Sequence, residues 1–422
     1  MITSDYEKKM FAEFSTHQIL IDSMIDKMPP EFWQTPKKIW EPCCGKGGFV
    51  LSLFDKLFIG LETYCSNVQE RCRIILEECI YFSDINLNNV KIVEELVMEK
   101  AFGLVQLAHT YTLLSSTINI LTTYPYPLQF FDFIIGNPPF NSSLLNKNII
   151  WPEIVSNSLN NWIKEDGYLL FISPPGWRKP DKERSKYHNL FSLLTQQNWL
   201  KYLEMHTKKD GRTMFACNTF FDWYLIQKRE PEKSISLIKD TEGKEHTICL
   251  KDMKWLPSSH IQEIISITNY DSIGHKGGSA CAYNAPILYS RCAYGTDKKH
   301  MSATYSADIY KYSCIHSILK NGQIRYYYSS RNDRGHFNVS KVIFAETGIH
   351  HPILDWEGKY GMTHGAMALQ IDSLEEGASI CTAITSPKFQ EIISACICSS
   401  YRIDWIIFKE FRKDFWKKFI QT

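Results

Sequence analysis

The stretch Phe131-Asp132-Phe133-Ile134-Ile135-Gly136 is an apolar run of strand length, and it stops at Asn137-Pro138-Pro139-Phe140. That ending constrains the chain more than any other feature. Two consecutive prolines remove two backbone donors, and Pro138 pushes Asn137 out of the helical region. The run can neither go on as sheet nor pass straight into a helix. The carbonyl of Pro138 and the amide of Asn137 are left turned away from the strand, with an aromatic ring beside them. Such a cluster suits a planar amino group, offering acceptors for its protons and a π-face for its ring.

Upstream, Lys38-Ile39-Trp40-Glu41-Pro42 reads as a short strand closed by an acid and a proline, followed by Cys43-Cys44-Gly45-Lys46-Gly47-Gly48-Phe49. Glycines in such a loop let backbone approach a ligand closely, and the helix after it presents unpaired amides. A nucleotide-phosphate loop is excluded, because no Gly-Lys-Ser/Thr follows at the required spacing. A dinucleotide site is disfavoured, because the third glycine of Gly-x-Gly-x-x-Gly is missing.

The two segments, in this order, resemble motifs I and IV of the S-adenosylmethionine-dependent amino-methyltransferases, above all the adenine-N6 enzymes acting on DNA. With a C-terminal region following, the order is that of the gamma class found in restriction–modification systems. The resemblance implies a Rossmann-like α/β sheet whose last strand runs antiparallel, followed by a target-recognition domain. It implies S-adenosylmethionine as cofactor, and catalysis by Asn137, Pro138, Pro139 and Phe140 on a base flipped out of the duplex. Cofactor contacts are expected from Thr16, Glu41, Pro42, Gly45, Gly47, Phe49, Glu62, Asp84 and Asn137. A cytosine-C5 mechanism would need a Pro-Cys nucleophile after the fourth strand; Pro42-Cys43 sits in the cofactor loop instead.

A coarse reading gives alternating strands and helices. Thr16 is the expected N-cap of a helix to Met28, in the place of the family's motif X. Strands are expected at 38–41, 57–61, 79–83, 130–136, 168–173, 199–206 and 219–227, which argues for a parallel sheet. Glu62 would end the second strand and hold ribose hydroxyls; Asp84 would end the third and accept from the cofactor's adenine. A helix is expected over 90–115, inside a long 86–128 stretch that reads as an elaborated crossover or a lid. After the strand at 168–173, Trp177 is a candidate wall of the base pocket, and Arg178–Arg184 a phosphate-contacting flap or a solvated loop.

At 422 residues the chain is expected to hold two domains, 1–230 for catalysis and 231–422 for target recognition. Within 310–341, six Lys/Arg stand against one acid, interleaved with Tyr326-Tyr327-Tyr328, His336 and Phe337. Arg325, Arg331 and Arg334 are the candidate contacts to phosphates or guanine edges. The net charge is only +1, so any basic surface must be local. The 13 cysteines lack Cys-x-x-Cys spacing and read as buried thiols in a cytoplasmic protein. No run is apolar enough to span a membrane, and His350, His351 and His364 lack a convincing metal-ligand set. The expected partners are double-stranded DNA and a separate restriction endonuclease. An RNA adenine methyltransferase and a protein glutamine N5-methyltransferase are the alternatives, the second leaving the basic C-terminal region unexplained.

Overall fold

The computed structural model describes residues 14–105, 110–143, 148–231, 235–268, 270, 285, 287–288, 293–397 and 402–420. The chain divides into two compact units: 1–177 with 181–254, and 178–180 with 255–422.

The first unit is built on a nine-stranded sheet. Its strands are β1 (Ile39–Glu41), β2 (Ile80–Asp84), β3 (Leu114–Thr117), β4 (Phe131–Gly136), β5 (Ile163–Ser173), β6 (Trp199–His206), β7 (Phe221–Gln227), β8 (Ile235–Lys239) and β9 (Glu245–Cys249). They lie in the order β3-β2-β1-β4-β5-β7-β6-β8-β9. The first five are mutually parallel, and β7 inserts antiparallel between β5 and β6. This is a Rossmann-like α/β sheet with an antiparallel strand inserted late, as the resemblance implied, extended at one edge by β8 and β9. Strands covered on both faces should be apolar almost throughout. Accordingly β7 is buried at every residue, and β4 at all but Asp132.

The helices of this unit are α1 (Gln18–Ile25), α2 (Gly48–Gly60), α3 (Val68–Ile74), α4 (Leu87–Val105), α5 (Trp151–Asn157), α6 (Leu190–Thr195) and α7 (Lys208–Phe215). Three expectations are corrected here. Leu57–Leu61 is not a strand: Leu57–Gly60 end α2 and Leu61 caps it, the buried Val50, Leu53, Phe54 and Leu57 recurring at helical spacing. The expected strand at 79–83 is therefore the second strand, β2. The helix over 90–115 stops at Val105, and Leu114-Ser115 belong to β3. The 86–128 stretch is thus the α4–β3 part of a regular parallel crossover. The segment 235–249, expected in the second domain, supplies β8 and β9 to the first unit's sheet, so the compact unit runs to Lys254.

The second unit holds two four-stranded sheets, ordered β10-β17-β14-β15 and β11-β13-β12-β16, in which β10 is Ile287–Leu288, β11 Met301–Ser302, β16 Gly361–Met362 and β17 Ala366–Gln370. The strands that matter here are β12 (Tyr312–Ile318), β13 (Ile324–Ser329), β14 (Lys341–Ala345) and β15 (Gly348–Asp355). Phe408, Phe411 and Phe415 near the C-terminus enter its core, where they pack with Phe344 and Phe389. Part of the basic 310–341 run is structural. Lys341 is fully buried, pairs with Asp355 at 2.6 Å, and donates to the carbonyls of His336 and Val339.

His336 is also buried, and its Nδ1 accepts from the Met362 amide at 3.2 Å. Burial, then the neighbouring Lys341, hold its pKa down at about 4 against an ordinary 6.5. Between these values the unfolded chain binds the extra proton, so the second unit loses stability as pH falls from 6.5 towards 4. Urea unfolding at pH 7 and near 4.5 is expected to reveal that loss, and His336→Gln to flatten it.

Candidate functional site

The carboxyl ends of the parallel strands open into a cavity of about 770 Å³ within the first unit. Its floor is the glycine loop between β1 and α2. Gly45 and Gly47 take left-handed φ of 48° and 85°, which side chains rarely adopt. A Cβ on Gly48 would meet Ile21 Cδ1 at 2.8 Å, so this glycine also lets α1 close onto the loop. The loop is stapled to β2: the amide of Cys44 donates to the Ser83 carbonyl at 2.8 Å, and Ser83 Oγ donates to the Pro42 carbonyl at 3.0 Å.

Asp84, at the end of β2, lies on the cavity wall and binds the loop as well. Its Oδ2 accepts from the Gly45 amide at 2.9 Å, and its Oδ1 from the Asn86 amide at 2.8 Å. Burial raises its pKa, opposed by those two amides, by Asn89 and by Lys46. Glu41 is buried beneath the loop rather than on the wall, and Gly136 makes room for it, since a Cβ there would collide with the carboxylate. Its Oε1 accepts from the Cys43 amide at 3.2 Å, while its buried Oε2 has no partner among the described residues. Burial, with a smaller push from Asp84, drives the Glu41 carboxyl well above the usual carboxylate range, against the Cys43 amide that lowers it.

The opposite side of the cavity is Asn137-Pro138-Pro139-Phe140, set at the end of β4 as expected. After it the chain turns back, with Asn141 bridged to Ile149 and the Ile150 amide donating to the Phe140 carbonyl at 3.2 Å. The Nδ2 of Asn137 donates to Thr16 Oγ1 at 3.2 Å, joining two segments far apart in the chain. Pro42, Gly45, Phe49 and Thr16 line the same cavity; Gly47 lies behind it, against Val93.

Several expected residues stand elsewhere. Glu62 is exposed in the turn after α2 and does not reach the cavity, a consequence of the missing strand at 57–61. Thr16 does not cap α1; the cap is His17, whose Nδ1 accepts from the Ile19 amide. Trp177 is 1% exposed and packs against Phe191 and Tyr224 in the core, so it walls no base pocket. Arg178 is buried too, donating to the Leu256 carbonyl and Ser258 Oγ, so it is not an exposed member of the 178–184 stretch, of which 181–184 are exposed. In the second unit, Arg325 and Arg334 are exposed, and Arg331 forms an ion pair with Asp333.

The structure also adds wall residues the motifs did not single out. Ile118–Leu121 follow β3, which the strand order brings beside β2; Phe215 ends α7 and Thr219 lies in the connection to β7. Neither group carries a local signal. Lys46 did lie within the quoted glycine loop, and its Nζ donates to Asn89 Oδ1 at 2.7 Å.

No family model matches the chain. A curated relative, the probable tRNA (guanine(10)-N2)-dimethyltransferase of Methanothermococcus thermolithotrophicus, is 23% identical over 171 residues, 40% of this chain and 88% of that protein. Among solved structures, the chain is similar to a modification subunit of a putative type I restriction enzyme from Vibrio vulnificus YJ016. There the identity is 16% and the TM-score 0.38, with 62% of this chain and 58% of that one covered. It is also similar to the type IIL restriction-modification enzyme MmeI in complex with DNA, at 10% identity and a TM-score of 0.46. That match covers 91% of this chain and 65% of the other, so in both cases this chain spans less than two thirds of the solved protein. Among the described residues, no helix is long and apolar enough to cross a membrane.

Proposed function

We propose that the chain transfers a methyl group from S-adenosylmethionine to the exocyclic N6 amino group of adenine in double-stranded DNA. The observation that carries this reading is the placement of Asn137, Pro138 and Phe140 on the wall of the same cavity as the glycine loop. The residues present fit the cofactor. The cavity volume lies within the roughly 300–1,000 Å³ of small-molecule sites, and Gly45 brings backbone to its floor. Asp84 at the wall suits ribose hydroxyls, in the role first expected of Glu62. Glu41, buried beneath the loop, shapes that floor by accepting from the Cys43 amide.

Bound S-adenosylmethionine supplies an electrophilic methyl on a sulfonium sulfur; the chain's own residues prepare the nucleophile. The lone pair of an adenine amino nitrogen is delocalised into the ring. Accepting hydrogen bonds from its two N–H groups at Asn137 Oδ1 and the Pro138 carbonyl favours tetrahedral nitrogen and localises that pair; after transfer the methylated nitrogen gives up one proton to solvent. Phe140 offers a stacking face to a base that must leave the duplex to arrive. Holding nitrogen and methyl in line then accounts for much of the rate.

The second unit is the proposed DNA-recognition domain, with Arg325 and Arg334 as exposed phosphate or base contacts. Arg331 would reach DNA by exchanging its exposed pair with Asp333, which costs little. A separate restriction endonuclease is the protein partner that accompanies this reading.

A second reading, methylation of a base amino group in RNA, is favoured by the tRNA-modifying relative. The deciding experiment is methyl transfer from labelled S-adenosylmethionine to duplex DNA, single-stranded RNA, tRNA and a protein extract, side by side. Label in DNA adenine is the expected result; label confined to RNA or protein overturns the DNA assignment.

A further inference from the structure

We propose that Thr16 is a positioning residue, whose hydroxyl holds the Asn137 side-chain amide with its oxygen turned towards the substrate nitrogen. The inference rests on the methyl-transfer reading above. Thr16 Oγ1 accepts from Asn137 Nδ2 at 3.2 Å across 121 residues of sequence, and both residues line the cavity. The amide torsion of an asparagine is broad and roughly two-fold. Untethered, Asn137 would present nitrogen or oxygen to the cavity with little preference, and only oxygen accepts from an amino group. In the observed orientation Nδ2 is engaged at Thr16 and Oδ1 is left for the substrate; the hydroxyl holds this orientation as an acceptor, its own proton being directed away from Asn137.

The tether is available because of who caps the helix. A threonine at the cap would turn its hydroxyl oxygen to a helix amide. Here His17 takes that amide at 3.3 Å, leaving the Thr16 hydroxyl for Asn137. The position is also held firmly. Leu20, Ile21, Met24 and Ile25 bury one face of α1, and Gln18 Nε2 donates to Ser52 Oγ on α2 at 2.7 Å.

The test compares Thr16→Val, which keeps the shape and loses the hydroxyl, with Thr16→Ser, which keeps the hydroxyl. In the full-length protein without cofactor, the Asn137 side-chain amide resonances are expected to move in Thr16→Val and stay in Thr16→Ser. Single-turnover methyl transfer is expected to fall about tenfold in Thr16→Val, with S-adenosylmethionine affinity held and Thr16→Ser restoring the rate. A loss of cofactor affinity with the rate unchanged would make Thr16 a cofactor ligand and overturn the proposal. Unmoved Asn137 resonances would overturn it as well. If the wild-type chain binds cofactor but methylates nothing, the activity reading fails while the resonances still decide the tether.

Discussion

Asn137→Ala is expected to lower single-turnover methyl transfer by on the order of 10²–10³-fold, the cost of removing one preorganised hydrogen-bonding group aimed at a reacting centre. S-adenosylmethionine affinity, measured by calorimetry on the same preparation, should stay close to wild type. The division follows from the geometry. The proposed cofactor side of the cavity is the glycine loop and Asp84, whose carboxylate is held by the Gly45 and Asn86 amides; none of those bonds involves Asn137. Removing the asparagine side chain leaves that side intact and takes away an acceptor for the amino protons. The backbone of the Pro-Pro turn is unaffected, because φ of both prolines is set by their rings. Loss of cofactor binding with residual turnover would move Asn137 into the cofactor site and refute this assignment of roles.

Much of the cavity wall was legible in the sequence, and the misses have physical causes. Asn137-Pro138-Pro139-Phe140 announces itself because prolines dictate local geometry wherever they stand. The glycine loop does so because Gly45 and Gly47 occupy backbone that other residues avoid. Glu62 was misplaced because a short window ending in Leu57-Phe58-Ile59-Gly60-Leu61 reads equally well as buried strand or helix. The longer pattern of Val50, Leu53, Phe54 and Leu57 settles it as helix, and with one strand fewer, Asp84 becomes the acid ending the second strand. Trp177 and Arg178 look like surface recognition residues in isolation. Their burial depends on partners such as Phe191, Tyr224 and Leu256, which no local pattern reveals. The same holds for Phe215 and Thr219, delivered to the cavity by tertiary structure alone. The basic 310–341 run shows the opposite error: counted as charge, Lys341 belongs to a nucleic-acid face, yet it sits in the core.

Lys341 carries the largest stability prediction. Lys341→Met is expected to destabilise the second unit by about 3–5 kcal/mol, because it leaves a buried carboxylate without its cation. Asp355 is 3% exposed, and the amides of Lys359 and Tyr360, donating to it at 2.8 and 3.0 Å, cannot replace a full charge. The His336 and Val339 carbonyls lose their donor at the same time. Urea unfolding of the full-length chain, followed by hydrogen exchange of β14 and β15 amides, separates this unit from the first. Adding Asp355→Leu removes the stranded charge and should recover part of the loss, since an apolar pair often replaces a buried ion pair at little cost. Recovery should remain incomplete here, because the two amides and two carbonyls that the pair satisfied would still lack partners. A single-variant loss below about 1 kcal/mol, the range of an exposed pair, would mean that water reaches the Lys341–Asp355 site.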